Sequence, residues 1–203
     1  MQSGSVDGPG AQSKTEIRRL LNSASSQGKG LLSIGLAIPG PLYSPPEVAL
    51  PAIRLATDLS LVASLHHSGG PPNDQVWAVL EKADLLGPHL NIVHANTIED
   101  ELLSRLLRYG VSFTVTPEVG MSDAHGHPIT DRLRAMGEAP SIGIDIETAI
   151  SGDLMTAARI ALAHQCALDN AAARQALPPR EQPSPLPAHD PHSDRLAANV
   201  CRH

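Results

Sequence analysis

Ten histidines fall in this 203-residue chain, and their positions matter more than their number. Five short apolar runs can be picked out: Leu31–Ala37, Leu61–Leu65, Asn91–Val93, Val111–Val115 and Ser141–Ile144. The second is followed directly by His66-His67, the third by His94 and the fifth by Asp145. The segment after the fourth adds Glu118, Asp123, His125 and His127. Any one of these histidines reads equally as a hydrogen-bonded or exposed side chain. Repetition at equivalent run ends points instead to one shared site, because in parallel α/β folds the functional groups sit where strands end. Imidazoles and carboxylates gathered at such a mouth are metal-competent.

The elements that must position these groups follow from the same text. None of the five runs alternates cleanly with polar residues, so they read as strands covered on both faces. Helical spacing fills the intervals. Ser44-Pro45-Pro46-Glu47 opens a helix to Leu59, with Pro51 set to kink it or delay its start. Asn73 caps a stretch whose apolar face is Val76, Val79, Leu80 and Ala83, closed by Gly87. Thr97-Ile98-Glu99-Asp100 opens a third, carrying Leu102, Leu103 and Leu106 to Gly110. A short helix spans Ile129–Met136, and a long one runs from near Asp153 through Ile160 and Leu168 towards Ala173. Strand–helix repeated five times predicts a parallel sheet with right-handed crossovers, either an open doubly wound sheet or part of a (β/α)₈ barrel. A full barrel takes about 250 residues, so five units make only part of one.

Composition sets the outer limits. Apolar residues make up 41% of the chain, enough for one domain with a sizeable core. With one Trp, two Tyr and one Phe, that core must be built from Leu, Ile, Val and Ala. A net charge of −6 excludes the basic face that nucleic-acid binding needs. Cys166 and Cys201 have no metal or redox spacing. No apolar run approaches a membrane span, and the default expectation is a cytoplasmic protein. Residues 1–14 read as a disordered leader, from which Ser13-Lys14-Thr15-Glu16 leads into a short helix through Ile17, Leu20 and Leu21. Residues 15–175 form the folded unit. Residues 176–203 hold six prolines between Pro178 and Pro191 and read as a disordered tail.

Several pieces occur in an order that resembles a known family. Val93-His94-Ala95-Asn96-Thr97 is followed by Val111–Thr116 with Pro117-Glu118-Val119. His125-Gly126-His127-Pro128 and Ser141-Ile142-Gly143-Ile144-Asp145 come next. From about Gly30 to Arg174 the chain resembles the second half of the amidohydrolase superfamily barrel, in the branch of cytosine and guanine deaminases and triazine hydrolases. Gly35–Leu42 with Ser44-Pro45-Pro46-Glu47 resembles that family's fourth strand and the loop after it.

The resemblance implies a mononuclear metal site and a hydrolase or deaminase acting on carbon–nitrogen bonds of a small cyclic or heteroaromatic substrate. His66 falls at the family's fifth-strand ligand position, with His67 as the alternative register. His94 falls at the sixth strand and Asp145 at the eighth. The implied metal is Zn²⁺ or Fe²⁺, which suits neutral imidazoles and a carboxylate, and it lowers the pKa of bound water so that hydroxide attacks the substrate. Asp145 binds the metal or takes the water proton, and His94 lies beside the attacked centre. The family's first-strand His-x-His has no counterpart upstream of His66. Gly69 stands where many members carry a proton-shuttling Glu. The one local His-x-His, His125-Gly126-His127, reads as a loop or substrate-side feature. The opposing expectation is therefore an inactive fragment, or a subunit whose protein partner supplies the first three strand–helix units. A nucleotide-binding reading is poorly supported, since no Gly-rich phosphate loop follows a strand.

Overall fold

Each apolar run becomes a strand, and each intervening stripe folds into a helix packed on it. The computed structural model describes residues 14–23, 33–38, 40, 45–68 and 74–176. The chain runs α1 (Lys14–Leu21), β1 (Gly35–Ile38), α2 (Pro46–Asp58), β2 (Val62–His67), α3 (Asp74–Lys82) and β3 (Leu90–His94). It continues through α4 (Asp100–Arg108), β4 (Ser112–Val115), α5 (Pro117–Ser122), α6 (Thr130–Ala135), β5 (Ser141–Ile142) and α7 (Leu154–Ala176). The expected leader and tail lie outside the described residues, apart from Lys14 and Ala176.

All neighbouring strands pair in parallel, in the order β1-β2-β3-β4-β5. Sequential order without a reversal removes the doubly wound alternative and leaves part of a barrel. The sheet is an open one of five strands among the described residues. In register, His66 lies beside Val93 and His67 beside His94, which brings the ends of β2 and β3 level.

The core lies on one side of this sheet. Leu36, Ile38, Ala63, Leu65, Leu90, Ile92, Phe113 and Val115 are buried there with Ile53, Trp77, Leu80, Leu103, Leu106 and Leu133 from the helices. Alternate strand residues face the other way: Val62 is 52% exposed, and Gly35, Ala37 and His66 are exposed too. This corrects the expectation of strands covered on both faces. The residues that blurred the alternation are small or polar, and they satisfy one another in the open. Asn91 Oδ1 accepts hydrogen bonds from Ser112 Oγ at 3.2 Å and Thr114 Oγ1 at 3.0 Å, while its Nδ2 donates to Ser64 Oγ at 3.3 Å. Such a polar ladder links three strands on a face that has no hydrophobic partner layer among the described residues.

Local details depart from the sequence reading where packing overrides pattern. Helix α2 starts at Pro46 and continues through Pro51 rather than beginning later; the buried Ala49, Ile53, Leu55 and Ala56 anchor it on both sides of the proline. On α3 the buried stripe is Val76, Trp77 and Leu80, whereas Val79 is exposed. Thr97 does not cap α4: the N-cap is Glu99, without a side-chain cap bond. Asp153 does cap α7, its carboxylate accepting from the Met155 and Thr156 amides at 3.1 and 3.0 Å.

Candidate active site at the strand ends

Period-two alternation decides between the paired histidines. His67 shares the parity of Ala63 and Leu65 and is buried against Trp77, with ring centroids 6.1 Å apart. His66 faces the uncovered side, where its ring meets His94 edge-on at 5.4 Å. Parity alone would send His94 to the helix side with Leu90 and Ile92. It turns instead because the strand ends in the left-handed region, with φ of 71° at His94 and 59° at Ala95. Asp145 holds the same conformation, φ 66°. Non-glycine residues in that region cost about 1–3 kcal/mol each, a strain that clusters at functional sites.

Those turns bring four side chains together. His94 Nε2 lies 3.7 Å from Asp145 Oδ2, and the His125 ring stands 5.3 Å from that of His94, edge-on. His94 Nδ1 is hydrogen-bonded to Thr116 Oγ1 at 2.7 Å, and both residues are buried. One ring nitrogen is thus committed to Thr116 and the other faces Asp145. Sequence reasoning missed Thr116, the last residue before the Pro117 that starts α5, and left His125 in the loop. The local His-x-His splits: His125 joins this cluster, while His127 pairs with His164 on α7. Glu118 turns away to bond Ser151 Oγ at 2.8 Å.

Burial pushes the His94 imidazole down to about 4; Asp145 opposes that shift, and His66, His125 and His67 add to it. His94 is therefore neutral at pH 7. Its folded pKa lies below the unfolded value of about 6.5, so the unfolded chain takes up a proton more readily between those values. The stability it contributes is fully present above about pH 6.5 and is lost as pH falls through 4, by up to roughly 3 kcal/mol. Denaturant unfolding at pH 7.5 and pH 4.5 should show this loss, and His94→Gln should flatten the slope. An unchanged slope in the variant would mean that His94 is not the group responsible.

The donor types here, three imidazoles and a carboxylate, suit zinc or ferrous iron. His125 Nδ1 is buried without a hydrogen-bond partner among the described residues. The arrangement is another matter. Among the described residues, no group of three or more His, Cys, Asp or Glu side chains is gathered so as to hold an ion. By themselves these residues do not fit a metal.

Solved structures share this architecture. A zinc-bound adenosine deaminase from Xanthomonas campestris superposes with a TM-score of 0.63 at 21% identity, over 77% of this chain and 37% of its own. A mutant of the atrazine chlorohydrolase TrzN from Arthrobacter aurescens TC1, complexed with zinc and atraton, gives 0.66 at 17% identity, over 81% and 38%. All are amidohydrolase superfamily members. This chain has part of the (β/α)₈ barrel fold that they share. Helicobacter pylori aminofutalosine deaminase gives 0.55 at 18%, over 74% of this chain and 45% of its own. The partial barrel thus spans less than half the length of each of these proteins. No protein-family profile matches the sequence, and no curated protein sequence does. Among the described residues no helix is long and apolar enough to cross a membrane.

Proposed function

We propose that this partial amidohydrolase barrel serves a metal-dependent hydrolase acting on non-peptide carbon–nitrogen bonds, a deaminase or amidohydrolase of a small cyclic or heteroaromatic substrate. The observation that carries this reading is the meeting of His66, His94 and Asp145 on the uncovered face at the strand ends. The zinc-bound deaminase and chlorohydrolase of the same fold support it. In this reading Asp145 is the proton acceptor and a ligand. His94, neutral and oriented by Thr116, stands beside the attacked carbon. His66 is a ligand.

A second element is favoured by the lack of any closed ligand group among the described residues. The chain alone is catalytically silent, and a polypeptide carrying the barrel's first three strand–helix units supplies the His-x-His. The sheet agrees with this: among the described residues no strand lies beyond β1 or β5, whereas a closed barrel pairs every strand on both sides.

Zinc titration and ammonia release from a panel of aminated heterocycles test both elements. The isolated chain should bind zinc weakly at the strand ends and release no ammonia, and adding the complementary units should raise both together. Turnover by the isolated chain, lost in His66→Ala, would overturn the need for a partner but keep the hydrolase. No turnover in the reconstituted barrel, despite tight zinc, would sink the hydrolase.

A further inference from the structure

The first helix has no strand before it among the described residues. On α1, Ile17 is buried in the core that also holds Leu36 and Ile38 of β1 and Ile53 of α2, and Leu21, one turn on, packs against that core. The helix therefore lies on the covered side of the sheet. There each crossover leads from one strand to its neighbour, always in the direction from β1 to β5. A helix that enters β1 on that side with the same hand starts from a parallel strand beyond β1. We propose that the polypeptide completing the barrel has the order strand–helix–strand–helix–strand, because α1 already occupies the place of its third helix, and that it seats between the β1 edge and the exposed apolar stripe of α7.

This inference rests on the reading that a second polypeptide closes the barrel, and it narrows what that polypeptide must be. A (β/α)₈ barrel has eight strands and eight helices. Five consecutive strands leave three to be supplied. The helices already present are α1, α2, α3, α4, the α5–α6 crossover and α7, which leaves two. Residues 1–13 offer no strand of their own: their apolar residues are Met1, Val6 and Ala11, no two of them adjacent. The strand beyond β1 is thus the last of the added polypeptide, and its first lies beyond β5.

The opposite end of the chain carries the second contact line. Helix α7 packs on α5, α6 and β5, with Ala157, Ala161 and Gln165 turned inward. Its Met155 and Leu162 are 62% and 64% exposed, the two most exposed large apolar side chains among the described residues. They stand seven positions apart, two turns on one face of the helix. In a closed ring of helices the last one packs beside the first, so the first helix of the added polypeptide covers this stripe. The solved deaminase and chlorohydrolase of the same fold are matched over only 37% and 38% of their lengths, which leaves room in that fold for such a segment.

Two fragments of the zinc-bound Xanthomonas campestris adenosine deaminase serve as probes, one ending after its third barrel strand and one after its third barrel helix. Each is titrated into the full chain by calorimetry. The shorter fragment should bind at least as tightly as the longer one. Ile17→Asp should weaken the shorter fragment by about tenfold or more, and the longer one much less, since it brings its own third helix. Leu162→Asp should weaken both by a similar factor. Circular dichroism checks that each variant is folded, and Ile17→Ala, with a smaller loss in the same direction, replaces Ile17→Asp if that variant unfolds. Tighter binding of the longer fragment to the unaltered chain overturns the proposal. So does binding of both fragments unchanged by the Ile17 or the Leu162 substitution, and so does no binding of either. Ammonia release in the same mixtures separates this from the hydrolase reading. Binding of the shorter fragment without turnover keeps the proposal and counts against the hydrolase, and turnover with the longer fragment bound more tightly does the reverse.

Discussion

Replacing Asp145 by Asn in the completed barrel is expected to lower turnover by on the order of 10³-fold while leaving the fold intact. Asn matches the volume of Asp but cannot accept a proton, and it brings no charge to a bound cation. Asp145 lies just after the fifth strand, with its carboxylate 3.7 Å from His94, and its left-handed φ of 66° suits Asn as well as Asp. The substitution therefore separates chemistry from backbone geometry. Circular dichroism and the unfolding midpoint should be unchanged, and zinc affinity should fall with kcat. Retention of more than about a tenth of the turnover would remove Asp145 from the proton-transfer role. A loss of turnover accompanied by unfolding would show that the carboxylate is structural.

Gly40→Ala is expected to be the most damaging single substitution near the site, costing roughly 3–5 kcal/mol of stability. Gly40 follows β1, is buried, and lies against the end of β2. A Cβ placed on it would stand 1.6 Å from the His66 carbonyl oxygen and 2.8 Å from the His66 carbonyl carbon. Both are backbone atoms of a strand locked between β1 and β3, so neither can swing aside as a side chain can. Relief requires moving the end of β2, and with it the His66 ring.

A built-in comparison exists at Gly35, where the added Cβ would approach Val62 O only to 3.2 Å. Gly35→Ala should cost about 1 kcal/mol or less, since a few tenths of an ångström suffice. Equilibrium denaturation of the two variants side by side measures the difference. If Gly40→Ala unfolds within about 0.5 kcal/mol of the unaltered chain, the surface-substitution range, the close approach at the end of β2 is not a constraint.

The strand–helix alternation was legible in the sequence because each unit carries its own punctuation. Apolar runs of three to seven residues, Gly110 closing α4 and Asp153 opening α7 are local signals that tertiary context had no reason to override. Parallel pairing followed from the long crossovers alone. The same signals placed His66, His94 and Asp145 at run ends, since where an apolar run stops is visible without knowing its neighbours. Helix α5 was missed, although Pro117 at its first turn was a readable start signal. It is only six residues long, too short for a 3.6-residue period to show.

What the sequence by itself determined was the order of the elements, and which side chains stand at their ends. Which of those side chains meet was decided only by the tertiary structure. His66 and His67 are adjacent and identical in type, and only the one-sided covering of the sheet tells them apart, since alternation sends one to Trp77 and the other to the site. His94 reaches that site against its parity through two successive left-handed residues, a conformation that no residue type dictates outside glycine. His125 and His127, two positions apart in one loop, go to different clusters because one faces the strand ends and the other meets α7. The partners concerned, His94 and His164, lie 31 and 37 residues away, and contacts over such separations depend on packing that no local signal encodes.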